Sequence, residues 1–556
     1  MVLNMLRNFF MKKSANEGAL YKQNELIGET ILEVKDGFVI FATEKISLDD
    51  ISAVKINKDT LYITTKDCKY KFITQNASQI FQLIHPAINP HSFLFETGRF
   101  KYSIYSVESR IFEKVELENS EIKIVEDFGK FYLCMEEEHS LIHFQQIASD
   151  LQYYMDQKNR TFVWSAYKEG LFFTFCAKFE DNIEFLQFLS SFVECTYKSV
   201  NKEGGDNKFY ERMFVVENEE RESDTKEREM DEKWETFEKE EPEKNTFNKD
   251  TEKTNKHLVI GQENIFVTRG ASLGIFDQEL HFKTQIVDAF KNPSKIISHN
   301  GNKNLIAKCE TDKLDVLDLE RGEIVEKWDL QQMNDFFNAE RDENNGTLIG
   351  IGDYNLFRID PRVKDKIVET KDYKMKNEFS AGIATKTGDV AVASKKGDLR
   401  LYNTIGKRAK TLINGFGDEI TAIDTSKSGR LVLCTCKSYL LLHEVHENYA
   451  KPLGKNKKSP KRLQLKPQHL ALINSHVNFT PAKFDQSDHF IVSSTGRYLI
   501  KWNVSDVLNG DVYNYSIKTL YDQVVDENFV INGDDIIVAL PNDIKHIDSK
   551  MLKKPK

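Results

Sequence analysis

The sequence predicts a mainly β chain, with a C-terminal propeller of seven blades preceded by two small β-barrels with capping helices. Three observations carry that prediction. A short segment recurs at near-constant spacing after residue 257, two earlier runs of strand patterns each close with an amphipathic helix, and an acidic stretch poor in apolar residues separates the two regions.

Seven segments in the last 300 residues share a small or polar turn, a four-residue strand core and a final Asp, Asn or Glu. Their endpoints are Asp277, Asp318, Asp360, Asn403, Glu444, Asn503 and Asp548, spaced 41, 42, 43, 41, 59 and 45 residues apart. Leu stands four positions before the endpoint in six units (Leu273, Leu314, Leu356, Leu399, Leu440, Leu499), and Ile544 takes that place in the seventh. A period of about 40–45 residues with short strands and tight turns marks a β-propeller, whose four-stranded blades bury their faces only against neighbours. LRLYN (399–403) and LIKWN (499–503) resemble the third strand of a WD-repeat blade, although the Gly-His and Trp-Asp pairs are mostly missing. The last unit ends eight residues before the C-terminus. Ring closure is therefore expected to use a strand from the other end, near residues 257–260, as the outer strand of the last blade.

The first 200 residues read differently. LEVKDGFVI (32–40) is a hairpin signal, because Asp36-Gly37 suits a tight primed turn between alternating strands. Strand patterns follow at 59–65 and 69–74, and a helix is expected from about residue 76 to Pro86. Residues 92–200 repeat this plan, with strands near 103–107, 131–135, 162–167 and 171–179. Their closing helix starts at Asp181, with Glu184 completing a capping box and Ile183, Leu186, Leu189 and Val193 as its inward stripe. Short strands closed by one helix suggest small barrels like the pleckstrin-homology fold. The domains are thus 1–91 and 92–200 (barrels), 201–256 (acidic disordered linker) and 257–556 (propeller).

Charge is unevenly placed. The net charge of −10 divides as +1 for residues 1–91, −7 for 92–200, −7 for 201–256 and +3 for the remainder. The linker is mostly Glu, Lys, Asp, Asn and Thr and cannot bury enough surface to offset its chain entropy. The 59-residue interval holds an insertion whose stretch 451–469 carries seven basic residues and no acidic one. Opposite charges attract over a Debye length of about 10 Å, so the linker is expected to dock transiently on this insertion and to compete there with an acidic partner.

The repeats and their flanks resemble the vacuolar import and degradation family, whose members carry a WD-repeat-like domain after a pleckstrin-homology-like module. The matching stretches include VTRGASLGIF (267–276), LFRIDPR (356–362), VAVASKKGDLRLYN (390–403), PKRLQLKPQHL (460–470) and IVSSTGRYLIKWN (491–503). The resemblance implies a cytoplasmic protein that serves delivery of proteins to the vacuole for degradation. It implies a pathway and not a molecular activity.

Enzymatic motifs are missing: there is no phosphate loop, no GxGxxG opening a helix after a strand, no HExxH and no GxSxG. Cys434-x-Cys436 lacks a second ligand pair and is expected to be structural. His139 and His143 have helical i, i+4 spacing beside Glu136–Glu138, but no further ligand set can be named. Neither a metal nor a cofactor is expected. An odd count of seven cysteines and an N-terminus with its apolar residues before its basic ones point to reduced thiols in the cytoplasm or nucleus. Nucleic acid is disfavoured because the basic insertion has no interleaved aromatics. Phosphoinositide binding is disfavoured because neither barrel concentrates Lys and Arg. A peripheral membrane adaptor, using the barrels and the apolar residues 1–13, is the alternative.

What remains is protein binding. Equivalent loops of every blade point the same way, so the turns inside the repeats gather Arg269, Lys395, Lys396, Lys437 and Arg497 on one face with Asp312, Asp353 and Asp543. A basic sector over blades 4 to 6 would suit an acidic peptide. The insertion adds Lys457, Lys458, Lys461 and Arg462 as candidate cations. The expected function is that of a non-enzymatic cytosolic scaffold.

Overall fold

This computed structural model describes residues 17–74, 92–200 and 253–554, apart from short stretches within those ranges, together with Phe247. Residues 1–16, the helix expected near 76–86 and the acidic stretch 201–246 lie outside the described residues. The chain forms two compact units. One comprises Met1–Ile104, Phe112–Ala148 and Cys176–Ser199, the other Tyr105–Ile111, Ser149–Phe175 and Val200–Lys556. No helix among the described residues is long and apolar enough to cross a membrane.

Residues 17–73 make two antiparallel sheets. The five-stranded one runs in the order Glu25–Ile31, Glu17–Lys22, Lys69–Ile73, Thr60–Thr65, Ile51–Asn57, and the other is the meander Glu33–Lys35, Phe38–Ile40, Lys45–Ser47. Lys35 pairs with Phe38 across the expected hairpin. Alternation sends Leu20, Leu61, Ile63 and Phe72 from one sheet and Val39 and Ile46 from the other into one core. Residues 92–179 use the same strand order: Ile111–Val115, Phe100–Ser106, Leu171–Phe179, Thr161–Lys168, Tyr153–Asp156 in one sheet. The companion sheet is Ser140–Ile147, Lys130–Glu137, Ser120–Asp127 and Ser92–Thr97. The plan of the first segment is therefore repeated, with one added strand.

Helix α1 (Asn182–Val200) begins where expected, since Asp181 Oδ1 accepts the Ile183 and Glu184 N–H groups at 2.7 and 3.0 Å. Its expected stripe holds at Leu189 and Val193, which are buried, and fails at Ile183. Ile183 is 66% exposed, and the buried stripe is Phe185, Phe188, Leu189, Phe192 and Val193. The three phenylalanines bury more surface than the aliphatic stripe would, and Phe188 packs against Phe95 and Phe179 at 5.4 and 4.9 Å.

Seven consecutive antiparallel sheets follow, six of four strands and one of three. They span residues 255–286, 295–329, 335–372, 379–413, 420–463, 483–519 and 526–547. The first strand of each touches the first strand of the next, and that of the seventh touches that of the first. The sheets therefore close a ring, the arrangement of a WD-repeat-like β-propeller. Every repeated segment is the third strand of its sheet: Ser272–Phe276, Lys313–Asp318, Asn355–Ile359, Leu399–Tyr402, Leu440–Glu444, Tyr498–Asn503 and Ile544–Ile547.

Ring closure differs from expectation. Asn255–Ile260 is the innermost strand of the first sheet, paired with Ile265–Arg269, and among the described residues the last sheet has no outer strand. A tight turn closed by Gly261 N–H on Asn264 C=O commits 255–260 to its own sheet. After Ile547 the chain makes a single turn capped by Asp548 and bridges Lys553 to Ile517 of the sixth sheet. The propeller also starts earlier than residue 257: Asn255 is fully inside, and Phe247 packs on Phe276 and Phe282 at 5.8 and 6.2 Å. Gly274 makes room for it, since a Cβ there would come within 2.8 Å of the Phe247 ring.

Candidate protein-binding face

The turns between second and third strands do lie on one rim, because each hydrogen-bonds to the loop leading out of its sheet or into the next. Asn334 Nδ2 donates to Asp353 Oδ1 at 2.7 Å, and the Asn377 N–H to the Asp353 carbonyl at 2.9 Å. The Lys395 N–H donates to the Glu378 carbonyl, and the Gly415 N–H to Asp398 Oδ1 at 3.2 Å. Gly415 has to be glycine: a Cβ there would lie 1.9 Å from the Gly397 carbonyl oxygen. Onward round the rim, the Tyr439 hydroxyl donates to Asp418 at 2.7 Å, the Phe479 N–H to the Lys437 carbonyl, and the Leu520 N–H to the Arg497 carbonyl. Tyr521 then donates its hydroxyl to Asp543 at 2.7 Å.

Arg269 is the first correction to the expected site. It is 2% exposed and fastens the ring, with Nη1 on the Pro541 carbonyl at 3.0 Å and Nη2 on Asn542 Oδ1 at 2.9 Å. Beside it the Asn255 N–H and Nδ2 reach the Pro541 and Leu540 carbonyls at 2.8 and 2.9 Å. A guanidinium can be buried here because fixed carbonyl dipoles take its Nη donors.

Lys395, Lys396, Lys437 and Arg497 stand exposed on the fourth, fifth and sixth sheets, and none forms an ion pair among the described residues. The rim's acids are internally engaged. Asn334 and, beyond it, Lys376 hold the Asp353 carboxyl below its ordinary value, with a further contribution from Lys395. Asp312 accepts the Met333 N–H at 2.7 Å, and Asp543 takes Tyr521. Two side chains that sequence reasoning passed over lie on the same rim: Met375, 79% exposed, and Tyr354, 46% exposed. The loop bearing Met375 is tied down by Asn377 and Glu378 N–H bonds to the Asp353 carbonyl. The only signal in the sequence was an apolar residue between two lysines in a turn-rich stretch.

The insertion is the second correction. Lys461–Leu463 is the outermost strand of the fifth sheet, and Lys461 and Arg462 are 9% and 5% exposed. The Arg462 guanidinium lies 4.3 Å from the Tyr439 ring centre and 5.2 Å from that of Tyr153. Gln464 Nε2 donates to the Tyr153 carbonyl and the Tyr513 hydroxyl, both at 2.7 Å. Helix α2 (Pro467–Ile473) continues the contact, its Pro467 carbonyl accepting the Thr174 and Ser165 hydroxyls at 2.8 and 3.3 Å. The insertion expected to receive the acidic linker is thus a seat for segment 149–175 in the same compact unit. Leu463 and Leu465 anchor it, and aromatic faces neutralise the desolvation cost of the arginine. Lys458 is exposed and paired with Glu444 at 2.6 Å, and Lys457 lies outside the described residues. Lys461 and Arg462 are not available to the acidic stretch that was expected to dock on them.

Elsewhere the chemistry is quiet. Cys434 and Cys436 are buried, and burial pushes the Cys436 thiol up to about 12 and Cys434 well above its ordinary value. His143 sits in a β-strand, so the helical pairing expected with His139, which is outside the described residues, does not arise. Asp277, Glu279 and His281 could converge on a cation, but Asp277 spends its oxygens on the Glu279 and His281 N–H groups and the imidazole.

Comparison with known proteins follows this geometry. A family described as the VID27 C-terminal WD40-like domain matches residues 253–556. The vacuolar import and degradation protein 27 of Schizosaccharomyces pombe is 36% identical over 346 residues, covering 54% of this chain and 43% of that protein. The protein of the same name in Saccharomyces cerevisiae is 33% identical over 358 residues, covering 55% of this chain and 45% of that protein. The chain thus spans less than half the length of either relative. Among solved structures, the Cps50 (Swd1) beta-propeller domain of Myceliophteria thermophila aligns with 53% of this chain and 95% of its own, at 12% identity and a TM-score of 0.44.

Proposed function

The chain belongs to the VID27 family through its C-terminal WD40-like domain, and from that premise we propose that it is a non-enzymatic cytoplasmic scaffold acting in vacuolar import and degradation of proteins. The relatives' names support the pathway. The rim supports the molecular role. One observation carries it: Lys395, Lys396, Lys437 and Arg497 stand exposed without ion pairs among the described residues, on the same rim as exposed Met375 and Tyr354, while Asp312, Asp353 and Asp543 are held by hydrogen bonds. Such a sector recruits acidic protein segments, the cations steering and the two anchors holding.

Binding of a fluorescent acidic peptide, such as an oligoglutamate with one Leu and one Trp, to the full chain tests this. Lys396→Glu with Lys437→Glu should abolish a salt-sensitive interaction. Undiminished binding by the double variant, or turnover of a substrate at that rim, would overturn the proposal.

A further inference from the structure

The ring's last sheet is held on the sixth by two acids side by side. Lys483 Nζ bonds Asp526 Oδ1 at 2.9 Å and the Glu527 carbonyl at 2.6 Å. Asp526 Oδ2 accepts the Leu258 N–H of the first sheet at 2.9 Å, so this carboxylate is fully used. Glu527 is different. It is wholly buried, and its Oε1 accepts the Thr480 hydroxyl at 2.5 Å. Thr480 Oγ1 itself accepts the Ser494 N–H at 2.7 Å, which holds the hydroxyl in place against the carboxyl. Glu527 Oε2 makes no hydrogen bond in this geometry, and the buried Ser494 hydroxyl faces the same carboxyl. An ionised carboxylate with one bare oxygen in this position is costly, whereas a carboxylic acid is not.

We propose that Glu527 stands in the folded ring as the neutral acid, its proton on Oε2, and that loss of this proton slackens the joint between the sixth and seventh sheets. The charged groups facing it are few. Lys483 from the sixth sheet favours ionisation, Asp526 on its own strand opposes it, and Asp424 of the fifth sheet draws on the same Lys483. Thr480 and Ser494 complete the surroundings. Burial is the largest influence and lifts the carboxyl from 4.5 to about 7.

The sign of the effect follows. Below 4.5 the acid is protonated in the folded and unfolded chain alike and adds no pH dependence. As pH rises from 4.5 to about 7 the unfolded chain gives up the proton first, so stability falls across that window and levels above it. This is opposite to the usual carboxylate in an ion pair.

Thermal unfolding of the full chain from about pH 5 to about pH 8 should show that decline. Glu527→Gln, which keeps the neutral shape, should flatten it and raise the midpoint at the alkaline end only. Infrared difference spectra between about pH 6 and about pH 8 provide a second readout that needs no variant: a protonated carboxyl C=O band should disappear on raising the pH. A decline of equal slope in Glu527→Gln would overturn the proposal. So would a wild-type spectrum without a titrating carboxyl band, even if that variant failed to fold.

Discussion

Arg462 and Tyr153, 309 positions apart, meet as a stacked and hydrogen-bonded pair: Nη1 donates to the phenol oxygen at 2.9 Å while the guanidinium lies 5.2 Å from the ring centre. With Tyr439 on its other contact, the cation is desolvated between aromatic faces. Lysine has neither the planar stack nor the fork of donors. Arg462→Lys should therefore cost about 2 kcal/mol, read as a lowered denaturation midpoint, and Tyr153→Phe a smaller share of the same loss. A midpoint unchanged in Arg462→Lys would mean that the seat for segment 149–175 is held by its leucines alone.

Arg269 is expected to matter for closure and not for partners. Arg269→Ala leaves the Pro541 carbonyl and Asn542 without their donors and should lower stability by about 3 kcal/mol. Faster hydrogen exchange is expected in 526–547 and 255–269 before other sheets. Uniform exchange across the ring would argue against a localised fastening.

The rim behaves oppositely. Met375 is 79% exposed and touches no core, so Met375→Ala should leave the melting temperature unmoved. It should weaken acidic-peptide binding by about 1–2 kcal/mol, roughly tenfold. Equal affinity in calorimetric titration would remove Met375 from the face and leave the lysines as its whole content.

Thiol labelling at neutral pH separates the cysteines by depth. Cys134, Cys195 and Cys436 have thiols lifted to about 12, and all three are buried with Cys434. These four should resist alkylation in the folded chain and react only on unfolding. Partly exposed Cys68 and Cys176 should react first.

Much of the C-terminal fold was legible because its repeat is tied to geometry. Leu at one fixed position and a capping Asp, Asn or Glu after it mark the third strand of each sheet, where a side chain must enter the core and a turn must start. The strand plan of residues 92–200 was legible for the same reason, from alternation. The buried stripe of α1 was legible only in part: two apolar stripes competed, and only packing favours Phe185, Phe188 and Phe192 over Ile183. Burial of Arg269, Lys461 and Arg462 was hidden because charge counting treats every cation as solvated, while the two arginines find carbonyls and aromatic rings distant in sequence. The exposed four at 395, 396, 437 and 497 were found because turns keep their place in each repeat.

The unshared strand at the end of the ring has a mechanical meaning. A wheel laced by a common strand must lose a whole ribbon of backbone bonds to come apart, whereas this one closes through Asn255, Arg269 and Asp526 and an apolar core in which Leu258, Ile265, Val267 and Phe276 of the first sheet meet Ile537 and Ala539 of the last. Opening the circle there takes apolar surface out of contact and breaks side-chain bonds, and it unzips no shared strand.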